Sequence, residues 1–244
     1  MGSIRRGTTE TVRNFWEAES CGERYGGPGA LDYQLVDEER YSLEPMIPHF
    51  ARFSEPFSGR GLEIGLGTGA DFSRNVSRGG AWVGIDLTQR SLGHVRRRLG
   101  SEQALIHGDA QVLPIRSGTF DLVYSWGVLL CCPSIESAID EVHRVLVPGG
   151  TALIMLYHAR SWVALAAWLR WGWWRMLSPR QAVSYMESPG TQAFSINSAK
   201  EMFSVFRTVK IRPIHTSWDT RWLGPVGKLG GDRMGWFLLC EATK

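Results

Sequence analysis

Three acids stand in matching settings along the chain. Glu63 lies two residues ahead of a glycine turn in LEIGLGTGAD, Asp86 ends the apolar run AWVGID, and Asp109 ends ALIHGD. Each run reads as a short buried strand, so the acids are predicted to gather at the carboxyl ends of successive parallel strands, where open α/β sheets bind ligands. Gly65, Gly67 and Gly69 let the backbone turn sharply and come close to a ligand before a helix begins. The turn also fits the loose dinucleotide fingerprint, with Ala70 in place of the last glycine and Asp86 following about 20 residues later. A pyrophosphate gains nothing from that much negative charge. A ligand with a ribose diol, an exocyclic adenine amine and a positive sulfonium and ammonium end gains from each acid.

The elements that must position these acids are punctuated regularly. GLEIG, AWVGID, ALIHGD, FDLVYS and TALIMLY alternate with helical or loop-like stretches. This rhythm predicts a parallel sheet covered on both faces. The clearest helix is SIESAIDEVHRVLVPGG, with Ile135, Ile139, Val142, Val145 and Leu146 as its apolar stripe, Ser134 as N-cap and Pro148-Gly149-Gly150 as its stop. Residues 1–59 read as an N-terminal helical cap, with helices over Thr9–Ala18 and Tyr33–Glu44 joined by CGERYGGPGA. Residues 60–157 form the ligand-binding core and 158–197 an inserted helical or lid segment. Residues 198–244 supply a helix over Ser198–Phe206 and the strands FRTVKIRPI and MGWFLLCEA. All belong to a single domain.

In LEIGLGTGAD, GIDLT, GDAQVLPIRSGTFDLVYSWGVL and AIDEVHRVLVPGG the chain resembles the class I S-adenosylmethionine-dependent methyltransferases, of the broad group that includes the ubiquinone/menaquinone methyltransferases. The resemblance covers roughly residues 60 to 157. It implies a Rossmann-like, seven-stranded, mostly parallel sheet that closes with an antiparallel last strand. It implies S-adenosylmethionine as cofactor, with Glu63 ordering the glycine turn and the methionine amine, and Gly65, Gly67 and Gly69 packing against the ligand. Asp86 would take the ribose hydroxyls, Leu87 would cover the adenine, Asp109 and Ala110 would read its edge, and Ser125 and Trp126 would border the methyl-transfer site. An NAD(P)-dependent oxidoreductase and a cofactor-binding partner protein without turnover are the alternatives.

An oxygen nucleophile must lose a proton, which calls for a base near the ends of the fourth and fifth strands. His158 and Tyr157 are the catalytic candidates, with His215 and Glu187 behind them. Where many relatives carry a histidine pair after the fourth strand, this chain reads LLCCP, which leaves room for a reaction without a base. Trp16, Tyr25, Tyr41, Trp162 and Glu187 are the candidate substrate-binding residues. In SWVALAAWLRWGWWRML, Trp162, Leu165, Leu169, Trp173 and Met176 recur at helical spacing, with Trp168, Trp171 and Trp174 off that stripe. This segment could pack on the sheet, form a lid over an apolar acceptor, make a homodimer contact or rest on a membrane surface.

The formal charge of +3 is dispersed, apart from Arg96-Arg97-Arg98 at a predicted helix end, and gives no basic stripe for nucleic acid. The fourth strand is followed by Ser125-Trp126-Gly127-Val128, without the proline pair of methyltransferases acting on nucleobase or amide nitrogens, so a small-molecule acceptor is expected. Four cysteines without CxxC or Cys/His spacing predict reduced thiols and no metal site. No apolar run reaches the roughly 18 residues of a membrane span and MGSIRRGTTE lacks a signal-peptide core, so a cytoplasmic protein without stable membrane insertion is expected.

Overall fold

A computed structural model describes residues 7–27 and 30–244. Residues 1–6 and 28–29, the head of the chain and part of the glycine-rich joint, lie outside the described residues. The strands are β1 Arg60–Ile64, β2 Ala81–Asp86, β3 Ala104–His107, β4 Phe120–Trp126, β5 Leu146–His158, β6 Ala193–Phe194, β7 Thr208–Ile214 and β8 Phe237–Thr243. The α-helices are α1 Thr9–Ala18, α2 Tyr33–Leu43, α3 Ile47–Phe50, α4 Ala70–Ser77, α5 Gln89–Leu99, α6 Ile135–Val145, α7 Trp162–Ala167, α8 Pro179–Ala182, α9 Ile196–Met202 and α10 Ser217–Leu223.

The sheet runs β3-β2-β1-β4-β5-β8-β7. The first five strands in that order are parallel, and β8 lies antiparallel between β5 and β7. An eighth, two-residue strand, β6, pairs with the end of β5; it falls within residues 158–197, for which the sequence predicts a helical or lid segment. Sequence direction reverses between β1 and β4, and there the carboxyl ends of the strands part to leave a crevice. The interior follows from side-chain type. Ala152 to Leu156 of β5 are apolar throughout and at most 2% exposed, as a strand covered on both faces must be.

Local signals explain most helix bounds. The Thr8 and Asp32 side chains accept backbone N–H bonds at the starts of α1 and α2, and Ser134 caps α6. Leu146 turns out to open β5 instead of ending the α6 stripe. The tryptophan-rich segment departs from expectation. Its helix stops at Ala167, passes through a wide turn over Trp168–Gly172 and a tight one over Trp173–Arg175, and reverses at Met176 with φ +56°. The buried side chains are Val163, Ala164, Ala167 and Leu177, whereas Leu165, Leu169, Trp173 and Met176 of the predicted stripe are exposed. The small residues let α7 approach its neighbours closely and the predicted stripe turns outward, while Trp168 and Trp171, off that stripe, are half-buried against the core. Between β7 and β8 lies α10 with further helical turns, where the sequence predicts no element. Its start is a capping box in which Thr216 N and Oγ1 both donate to Asp219 Oδ2 at 2.8 Å.

Candidate functional site

The glycine turn is held from beside it. Asp86 Oδ2 accepts the Leu66 N–H at 2.7 Å, and its Oδ1 accepts from Thr88 N at 2.9 Å and Oγ1 at 2.8 Å. Gly65 has φ +82°, and a Cβ built there would lie 2.1 Å from a Val128 methyl, so this glycine lets the loops after β1 and β4 meet. Gly67 is also in the left-handed region, at φ +51°. Gly69, the last of the set, does not face the crevice; it starts α4 in the left-handed conformation, with Val95 beneath it.

A cavity of about 440 Å³ opens over this turn, within the size range of cofactor sites. Glu63, Gly65, Gly67, Asp86, Leu87, Asp109, Ala110 and Trp126 all line it. Ser125 does not: it is fully buried, and its hydroxyl donates to Ile64 O at 3.0 Å, joining β4 to β1. Asp109 lies two residues beyond β3 and is steadied by Gln111, whose amide donates to both carboxylate oxygens at 3.0 Å, and by the Thr9 hydroxyl at 3.3 Å.

Beneath the turn lies a charged cluster that has no sequence motif. Asp71, at the start of α4, accepts from Arg40 Nε at 3.0 Å, Tyr41 Oη at 3.1 Å and Tyr124 Oη at 2.7 Å, and pairs with Arg40 Nη2 as well. Glu63 is 1% exposed and accepts from Asn75 Nδ2 at 2.7 Å. Burial, reinforced by the charge of Asp71, pushes its carboxyl well above the usual range. A cation entering the cavity would relieve that penalty. The buried acids therefore suit a ligand with a positive end.

The other end of the cavity is aromatic and holds a second carboxyl. Tyr157 Oη donates to Glu187 Oε2 at 2.9 Å, and the Tyr157 ring stacks on Trp236 with centroids 4.3 Å apart. Burial raises Glu187 to about 7, with the nearby Glu44 charge adding to the rise and the Tyr157 hydrogen bond opposing it. Burial, with the Glu187 charge behind it, holds the Tyr157 phenol neutral well above its usual range. Glu44 accepts from Trp126 Nε1 at 2.8 Å and Trp218 Nε1 at 3.2 Å, so one carboxylate from the end of α2 sets two tryptophans of the wall. Trp16 and Tyr25 of the cap line the cavity.

Several expected site residues lie elsewhere. His158 is 2% exposed, does not line the cavity, and donates from Nδ1 to Gly235 O at 3.1 Å; burial lowers its pKa, and it packs as a neutral ring. His215 bonds Gly227 O through Nε2 and is also outside the cavity. Tyr41 serves Asp71, and Trp162 Nε1 donates to Leu229 O at 2.6 Å, both residues lying outside the cavity lining. Cys131 lines the cavity as a thiol raised to about 12 by burial, which leaves it a poor nucleophile. Arg40, Glu44, Trp218, Trp222 and Trp236 line the cavity and were missed.

Residues 62–154 match the methyltransferase domain family. Over 129 residues, 52% of this chain and 47% of the relative, the sequence is 34% identical to the malonyl-[acyl-carrier protein] O-methyltransferase of Erwinia pyrifoliae. Over 98 residues, 37% of this chain and 26% of the relative, it is 32% identical to a sterol 24-C-methyltransferase of Schizosaccharomyces pombe. The chain thus spans about half or less of the length of these curated relatives. In fold it is similar to an S-adenosylmethionine-dependent methyltransferase from Mesorhizobium loti, at TM-score 0.61 and 17% identity over 82% of this chain and 97% of that one. It is also similar to the 1,6-didemethyltoxoflavin-N1-methyltransferase of Burkholderia thailandensis, solved with S-adenosylhomocysteine bound, at TM-score 0.54 and 14% identity over 87% and 82% of the two chains. The sheet order, the acid-lined crevice and the matched domain agree: residues 62–154 are a methyltransferase domain, and the chain has the fold of the S-adenosylmethionine-dependent methyltransferases it resembles.

Proposed function

We propose that the protein transfers a methyl group from S-adenosylmethionine to a small, partly apolar acceptor that sits beside Glu187 and Tyr157. The observation that carries this reading is one continuous cavity with acids over the glycine turn at one end and tryptophans around a raised carboxyl at the other. When bound, the cofactor supplies an electrophilic methyl group on a positively charged sulfur. Glu63 would face its ammonium end, Asp86 its ribose hydroxyls, Leu87 its adenine face, and Asp109 with Ala110 the adenine edge.

At the acceptor end, Glu187 takes the proton lost by an attacking hydroxyl, or by the ammonium formed when a neutral amine is methylated, and Tyr157 orients that carboxylate through its O–H. Trp126, Trp218, Trp222 and Trp236 exclude water and favour an acceptor with an apolar part. Both an O- and a C-methyltransferase occur among the relatives, so their names leave the nucleophilic atom open. Glu187 favours an acceptor that has a proton to lose.

The test is incubation of purified protein with methyl-labelled S-adenosylmethionine and metabolite extract of the source organism, followed by phase partition. Protein-dependent label in the organic phase is the expected result. Binding of S-adenosylhomocysteine without label transfer to any fraction would favour a partner protein without turnover. In calorimetry, Asp86→Ala is expected to weaken S-adenosylhomocysteine binding at least tenfold, about 1.4 kcal/mol, through loss of charge-assisted hydrogen bonds. An unchanged affinity in a variant with native circular dichroism removes Asp86 from the site.

A further inference from the structure

The two segments that the cavity reading leaves partly unused are the tryptophan-rich insertion and the connection between β7 and β8. They meet: Trp171 and Trp222 stack edge to face with centroids 5.9 Å apart, and Trp162 Nε1 reaches Leu229 O. Their outward side chains are unusually apolar. Met176 is 93% exposed, Trp173 61%, Trp174 55%, and Leu169, Val226 and Leu229 of the same two segments are also exposed. Side chains of this size are rarely left in water together without a partner.

The charge around them is one-sided. Between Arg144, which pairs with Glu141, and Glu187 the chain has no acid at all, while Arg160, Arg170, Arg175 and Arg180 fall in that interval. The second segment adds Arg221, Lys228 and Arg233 against Asp219 and Asp232. Asp219 is fully buried and spent on capping α10, and Asp232 accepts the His215 N–H. Among the described residues none of these seven cations is ion-paired. Arg175 lies 3.7 Å from the Trp174 ring centroid and Arg170 5.3 Å from that of Trp171, so cation and indole are presented together. The whole chain is only +3, whereas these two segments carry seven cations against two acids that are both engaged within the fold.

We propose that this face docks on the surface of a bilayer containing anionic phospholipid. Exposed tryptophans with arginines beside them match the headgroup boundary, where the indole ring is half-buried and the guanidinium meets phosphate. No helix among the described residues is long and apolar enough to cross a membrane, so the contact lies on the surface without spanning it. Trp222 belongs both to this face and to the cavity wall, which places the acceptor end of the cavity next to the docked bilayer. The docking itself does not depend on methyl transfer.

Co-sedimentation of the full chain with phosphatidylcholine vesicles and with equal mixtures of phosphatidylcholine and phosphatidylglycerol tests it. The protein is expected to pellet with the mixed vesicles at low salt, and at least tenfold less with phosphatidylcholine alone or at high salt. Trp173→Ser/Trp174→Ser/Met176→Ser should lose vesicle binding at least tenfold while keeping S-adenosylhomocysteine affinity and native circular dichroism. Arg170→Gln/Arg175→Gln should weaken binding to the mixed vesicles alone. Failure to pellet with either vesicle overturns the proposal. So does a triple variant that pellets like the parent, or a vesicle-independent dimer that the triple variant dissolves.

Discussion

Glu187→Gln is expected to lower turnover by about 10²- to 10⁴-fold with an acceptor that must lose a proton, while leaving S-adenosylhomocysteine affinity intact. The residue faces the acceptor end of the cavity, holds the Tyr157 hydroxyl and is raised to about 7, where a carboxylate can both accept a proton and be free to do so near neutrality. Activity should therefore rise with pH through about 7 in the parent protein and lose that limb in the variant. Tyr157→Phe removes a hydrogen bond that favours the ionised form, so it should move the limb to higher pH without abolishing it. Stability carries the opposite sign. A carboxyl raised from 4.5 to about 7 by folding binds its proton more tightly in the native state, and its contribution is present below pH 4.5 and lost as pH rises through 7. Above that pH the glutamine variant should be more stable than the parent, by on the order of 3 kcal/mol. A variant equally active across the pH range would place the proton acceptor elsewhere.

Arg40→Met is expected to cost about 3–5 kcal/mol of unfolding free energy in urea titration. Arg40 makes a two-pronged contact with Asp71 and lies 3.9 Å from Glu44, and the removal of its charge leaves the buried Asp71 carboxylate and the partly exposed Glu44 carboxylate with only hydroxyl and indole donors. Burial disfavours the Arg40 charge, but the adjacent carboxylates outweigh that and hold it protonated well beyond its ordinary range. Adding Asp71→Asn to Arg40→Met should recover part of the loss, because one uncompensated charge then disappears. A loss below about 1 kcal/mol for the single variant would mean that water reaches the cluster and screens it.

These two predictions fall on opposite sides of what could be read from the residues. Short apolar strands, polar caps and a glycine turn are local signals, and α1, the start of α2, the α6 cap and the three crevice acids stand where such signals put them. Glu187 was visible as an acid after the fifth strand, but its burial was not. Arg40 and Asp71 are 31 residues apart, and Glu44 reaches Trp218 across 174. Pairings at such separations leave no period in the chain. His158 illustrates the converse: a strand-end position is necessary for a base, yet the ring is turned away into a backbone carbonyl. The tryptophan-rich segment misled in a third way. Helical spacing identified a stripe, but alanines packed inward, because close approach of α7 outweighed the burial of large rings.

The carboxylate of Asp86 has a bearing on how this site can change over generations. Both of its oxygens are already engaged by the backbone on either side of the crevice, at Leu66 and Thr88. Selection on ligand affinity at this position is therefore inseparable from selection on the shape of the turn, and a mutation that relaxed one would forfeit the other. Drift in affinity has more freedom at the apolar walls, Leu87 and Ala110, whose side chains hold no backbone in place.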